Sequence, residues 1–141
     1  MRIMQIKKLF LQNFRNYENE TFEFSDGLNV LFGKNGQGKT NLIEALWLLT
    51  GGKSFRGSKD KDLINKDLCE EERFARITSV LENDGYEDKI ELLIADTAAK
   101  KGRYARHNDG QFKRAVNIVG KFYCVVFCPQ HLSLVSGSPS L

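Results

Sequence analysis

Residues 33–40 read Gly33-Lys34-Asn35-Gly36-Gln37-Gly38-Lys39-Thr40, and this octet constrains the chain more than any other stretch. It satisfies G-x-x-x-x-G-K-[ST], the pattern of a loop that wraps phosphate between a strand and a helix. Upstream, Leu28-Asn29-Val30-Leu31-Phe32 is a short apolar run, expected as a buried strand. Downstream, residues 41–49 are apolar on most faces and are followed by Gly51-Gly52, which predicts a helix closed by glycine. Gly33, Gly36 and Gly38 open backbone conformations that residues with a Cβ avoid, so successive N–H groups can converge on phosphate oxygens. The helix N-terminus adds about half a positive charge there. The pattern assigns Lys39 to the β- and γ-phosphates and the Thr40 hydroxyl to Mg²⁺. A nucleoside triphosphate is the expected ligand.

With 141 residues, 41% hydrophobic and 28% charged, the composition is that of a soluble domain with one sizeable core. No apolar run reaches the ~18 residues of a membrane span. The basic start (Arg2, Lys7, Lys8) lacks the apolar stretch of a signal peptide, so a cytoplasmic protein without a membrane partner is expected. The net charge of +3 is too small to argue for nucleic acid, but its distribution is uneven. Residues 67–97 carry ten acidic and three basic side chains. Residues 100–114 carry Lys100, Lys101, Arg103, Arg106, Lys113 and Arg114 against Asp109 alone. Such a basic hairpin reads either as a phosphate-backbone contact or as a solvated face paired with its acidic neighbour. The sparse aromatics, Tyr104 and Phe112, favour the second.

Cys69, Cys124 and Cys128 form no disulfide pattern and suit a reducing compartment. On a strand Cys124 and Cys128 share a face ~13 Å apart, too far to hold one tetrahedral zinc with His131. Buried free thiols are expected.

Apolar positions predict a strand over residues 2–11, and Thr21-Phe22-Glu23-Phe24 a half-buried second one. Between them Asn13-Phe14-Arg15-Asn16-Tyr17 is turn-prone. Arg15 leads toward the phosphate loop, where a guanidinium fork can bond phosphate; an ordinary surface arginine is the alternative. Residues 60–65 form a short amphipathic stretch anchored by Leu63 and Ile64. Asn83-Asp84-Gly85 and Asn108-Asp109-Gly110 are hairpin signals, and they predict an antiparallel meander over residues 74–114. A helix or connector over 115–120 and an apolar strand over 121–128, stopped by Pro129, follow. Leu92-Leu93-Ile94-Ala95-Asp96 imitates the Mg²⁺-holding Walker B strand. It lies between two hairpin signals, where a parallel strand is not expected. Asp96 therefore supports only an alternative reading, a self-contained small P-loop NTPase or kinase.

Asn13-Phe14-Arg15-Asn16-Tyr17, Gly27-Leu28-Asn29-Val30, the octet with Asn41-Leu42-Ile43-Glu44-Ala45, Ser54-Phe55-Arg56 and Phe127-Cys128-Pro129-Gln130-His131-Leu132 form a family-specific set. Together they resemble the N-terminal part of the bacterial RecF family, DNA replication and repair ATPases of the ABC/SMC-like class. The resemblance runs along the whole chain and is weakest in the meander. It implies an α/β fold, the ATP-binding lobe of a P-loop ABC-ATPase head, with a mixed sheet around the P-loop helix and an antiparallel β meander. Residues 1–58 would be the P-loop unit, 74–114 the antiparallel portion, and 121–139 a strand and following loop.

The resemblance also implies function. Such proteins bind ATP with Mg²⁺, form an ATP-dependent homodimer, bind double-stranded DNA at gaps and junctions, and work with a RecR-like partner to help load RecA. Carried over by position, Gly33, Lys34, Asn35, Gly36, Gln37, Gly38, Lys39, Thr40 and Asn41 hold nucleotide. Arg15 and Asn16 lie near it, Thr40 and Gln130 meet Mg²⁺, and Gln130 is the candidate catalytic glutamine. The chain to Leu141 shows no Leu-Ser-Gly-Gly-type signature, no Walker B Asp-Glu pair and no switch histidine. It is therefore expected to lack the helical lobe and to hydrolyse ATP slowly or not at all by itself. A non-catalytic DNA-binding module acting through residues 100–114 is a third reading.

Overall fold

In the computed structural model, which describes residues 4–33 and 38–127, period-two alternation of apolar residues decides how the sheet faces its core. β1 (Met4–Phe14) and β2 (Tyr17–Glu23) form a hairpin, α1 (Lys39–Leu48) follows the phosphate loop, and α2 (Asp60–Leu63) is a single turn. The meander follows as β3 (Phe74–Asn83), β4 (Tyr86–Asp96), β5 (Lys101–His107) and the short β6 (Lys113–Arg114). The sheet order is β2-β1-β3-β4-β5-β6, and every pairing is antiparallel. β3 lies against β1, so the meander is continuous with the N-terminal hairpin, and α1 belongs to the connection from β2 to β3, the two strands that flank β1.

One face of this sheet is the core. Leu9 and Leu11 on β1, Ala75, Ile77 and Leu81 on β3, and Ile90, Leu92 and Ile94 on β4 are buried on it. α1 adds Leu42, Ala45 and Leu48, and Leu63 and Ile64 close the end beneath the β1–β2 turn. Burial of each large side chain stabilises the fold by about 2 kcal/mol. A backbone bridge joins Phe14 to Ile64, and Phe14 itself is fully buried. The hairpin signals act as expected: Asp84 and Gly85 both take positive φ, 52° and 82°, as a two-residue turn of this hand requires. Residues 115–120 contain a 3-10 turn, Ala115–Ile118, whose Ala115 and Ile118 join the core.

Two runs expected as strands pair with no strand among the described residues. Leu28, Val30 and Phe32 are 88%, 70% and 90% exposed, and Val125 and Phe127 are 79% and 90% exposed. A strand persists only when its N–H and C=O rows find a neighbour, and no described residue pairs with either run. Asn29 instead folds back locally, accepting from Ser25 N at 2.9 Å and donating to Ser25 O at 2.8 Å. Cys69 also differs from expectation: it is exposed, at the surface turn Glu70–Glu72. Cys124 is free and half-buried, and burial raises its thiol pKa. Cys128, His131 and Gln130 lie outside the described residues.

Candidate nucleotide-binding site

α1 opens where the phosphate loop ends. Gly38 is its N-cap, with φ of 88°, and no side chain caps the first turn. The initial N–H groups of a helix have no intrahelical acceptor, so this end can receive an anion. A side chain at Gly38 would be strained twice over. Its backbone is left-handed, and a Cβ there would stand 2.8 Å from the Tyr17 hydroxyl and 2.9 Å from the Asn16 amide atoms. That closeness comes with a hydrogen bond: Tyr17 Oη donates to the Gly38 carbonyl at 2.8 Å. Burial first, and Glu20 second, raise the Tyr17 pKa. Lys39 Nζ donates to the carbonyl of Gly33. The lysine therefore spans the two ends of the octet; residues 34–37 between them lie outside the described residues.

The β1–β2 turn is held beside this helix end. Asn13 and Arg15 adopt positive φ, 54° and 49°. The turn is braced by Arg15 N donating to Leu63 O at 2.9 Å and Asn65 N to Asn13 O at 2.8 Å. Arg15 then reaches inward. Its Nε donates to Glu44 Oε1 at 2.5 Å, and its Nη2 to Glu44 Oε2 at 3.1 Å and to Ser58 Oγ at 2.6 Å. Glu44 is fully buried. It also accepts from Ser54 Oγ at 2.6 Å and has Arg56 Nη1 3.7 Å away. Arg56 Nη1 donates to Asn41 Oδ1 at 2.7 Å, and Asn41 Nδ2 to Asn16 Oδ1 at 2.8 Å. Three separated stretches, 13–17, 41–44 and 54–58, thus form one polar cluster against the first turns of α1.

The guanidinium fork anticipated for phosphate is in this structure directed at Glu44, so Arg15 joins the turn to α1. Asn16 and Asn41 reach the same helix end through each other. Glu44 is the organiser that motif reading passed over, although it is the sole charged residue in 41–49. Beside the cluster opens a cleft of about 500 Å³, whose lining includes Arg15, Asn16, Asn41, Arg56, Asp62 and Asp67.

Asp96 is not part of this site. It ends an antiparallel strand, its side chain lies 3.4 Å from Arg73 Nε and 3.9 Å from Lys101 Nζ, and its N–H donates to Arg73 O. This placement gives no support to a self-contained small P-loop NTPase or kinase that uses Asp96. Among the described residues no cluster of three or more His, Cys, Asp and Glu side chains is placed to hold a metal, and no helix is long and apolar enough to cross a membrane.

Known proteins resemble this chain in sequence and in fold. The chain is 43% identical over 138 residues to the DNA replication and repair protein RecF of Geobacillus kaustophilus, and 40% identical to that of Listeria monocytogenes. Those matches cover 98% of this chain and 35% of each relative, so the chain spans about a third of their length. A solved structure of the recombination mediator protein RecF with ATP superposes with a TM-score of 0.82 at 34% identity, over 96% of this chain and 35% of that one. The SMC head domain of Thermotoga maritima shares the fold, with a TM-score of 0.63 at 24% identity, over 84% of this chain and 42% of that one. The RecF/RecN/SMC N-terminal domain profile matches residues 5–133. The chain belongs to the RecF/RecN/SMC N-terminal domain family.

Proposed function

We propose that this chain is the ATP-binding lobe of a RecF-type DNA repair ATPase. The observation that carries it is the junction at Gly38-Lys39. A left-handed glycine with no room for a Cβ opens an uncapped helix, and its lysine neighbour reaches back to the first glycine of the octet. Those features fit a triphosphate: an uncapped helix start offers N–H donors, and Lys39 beside it supplies a cation. Lys39 would neutralise the β- and γ-phosphates, the backbone N–H groups of residues 33–40 would bond their oxygens, and Thr40 would ligate Mg²⁺. When bound, Mg²⁺ supplies charge neutralisation between the phosphates. Asn16, Asn41 and Arg56 border that end of the helix.

The whole protein's properties follow the same reading. DNA is its polyanionic partner, at gaps and junctions, a RecR-like protein is its co-worker, and ATP holds two copies together. RecA loading is the outcome, in the cytoplasm. Gln130 is proposed as the catalytic glutamine at Mg²⁺. The test is direct binding of a fluorescent ATP analogue to the parent and to Lys39→Ala. The substitution is expected to abolish binding while circular dichroism stays unchanged, since Lys39 is the first residue of α1, half-buried and outside the hydrophobic core. Unchanged affinity would sink the reading.

A further inference from the structure

The sheet has a second face, turned away from α1 and the core. Registers carry one row of residues across it: Asn19, Gln12, Arg76, Leu93, Tyr104 and Arg114, one from each strand. At the usual strand spacing the row spans ~24 Å, and it contains no carboxylate. Its basic side chains, Arg76 and Arg114, have no counter-ion among the described residues. Lys100 Nζ sits 4.1 Å from the centroid of the Tyr104 ring, and the Arg114 guanidinium 5.5 Å from the same centroid. Neither meets a carboxylate among the described residues. Gly102 lies beneath, where a Cβ would stand 3.3 Å from Arg114 Nη1, so the bare strand lets that guanidinium settle on it. Two strands along the row, Arg76 is half-buried, and its Nε is buried without a hydrogen-bond partner.

The neighbouring basic residues behave differently. Arg103 points to the core side and is held by Asp60 Oδ1 at 2.7 Å and Gly52 O at 2.9 Å. Arg106 is paired with Glu91. The basic excess of residues 100–114 is thus divided: part is neutralised within the fold, and part is gathered on one open face. Two like charges around one ring repel, and a buried donor without an acceptor costs about 1–3 kcal/mol. A ligand carrying regularly repeated anionic oxygens relieves the repulsion between Lys100 and Arg114.

We propose that this outer face, centred on Arg76, Tyr104, Arg114 and Lys100, contacts the phosphodiester backbone of DNA. The inference rests on DNA being the partner proposed above and adds the surface that meets it. With a single tyrosine in the row, the contact reads phosphates and not bases.

The experiment uses the full-length protein carrying this chain, with Lys100→Ala/Arg114→Ala beside the parent and Arg114→Lys as a charge-keeping control. Fluorescence anisotropy with a labelled gapped duplex is followed from about 50 to about 200 mM KCl. Loss of two phosphate contacts should weaken binding about 10-fold or more and lower the salt slope by roughly two. Arg114→Lys should keep the parent slope, and ATP-analogue binding should be the same in all three. Parent-like affinity and slope in the double variant would overturn the proposal while leaving DNA binding intact. Failure of the parent itself to bind DNA would overturn both readings.

Discussion

Glu44 shares its helix with the buried residues Leu42, Ala45 and Leu48, where an unpaired carboxylate would be costly. Its two oxygens are instead filled by Arg15 and Ser54, with Arg56 nearby. Glu44→Ala would leave Arg15, whose side chain is only 18% exposed, without its counter-charge. The expected loss is about 3 kcal/mol. Glu44→Gln keeps the volume and one acceptor for Ser54 and should lose less. Urea denaturation of both variants checks this, and a Glu44→Ala protein as stable as the parent would show that the cluster is not structural. The roles proposed for Lys39 and Thr40 could be read from sequence because the pattern that suggests them spans eight consecutive residues. Glu44 could not, because its partner Arg15 is 29 positions away and only the folded turn brings them together.

The hairpins show what local sequence can specify. Asn83-Asp84-Gly85 and Asn108-Asp109-Gly110 both mark turns because short polar residues and glycine tolerate positive φ; Asp84 and Asn108 take 52° and 53°. Asn108 also staples β5 to β4: its Nδ2 donates to Asp88 Oδ1 at 3.1 Å, and its Oδ1 accepts from Lys89 N at 2.8 Å. His107 Nε2 lies 3.1 Å from the same Asp88 oxygen. The Asn108 hydrogen bond, then His107, lower the Asp88 pKa below its ordinary 3.8. Folded Asp88 therefore holds its proton less tightly than in the unfolded chain. Its stabilisation is fully present above 3.8 and disappears as pH falls through the depressed folded value. Carboxyl-detected NMR should place the Asp88 midpoint below 3.8, and Asn108→Ala should move it upward. A parent midpoint at 3.8 would refute the staple. By contrast, residues 28–32 and 121–127 have β-prone composition, but propensity does not name a partner.

Those two runs bear on the whole molecule. Leu28, Val30, Phe32, Tyr123, Val125 and Phe127 are each at least 70% exposed, while the sheet and α1 bury a contiguous core. Unpaired, apolar, β-prone segments are templates for pairing with another chain. The 141-residue chain alone is therefore expected to self-associate as its concentration rises. Phe32→Ser/Phe127→Ser should reduce that association, because neither side chain contributes to the core. Sedimentation velocity across a concentration series measures it, with circular dichroism verifying that the sheet persists. The salt response separates this from the cationic sheet face: apolar association strengthens or holds as salt rises, whereas contacts made through Arg114 and Lys100 weaken. A parent chain monomeric throughout, with the double substitution unfolding it, would mean that these segments are packed within the fold.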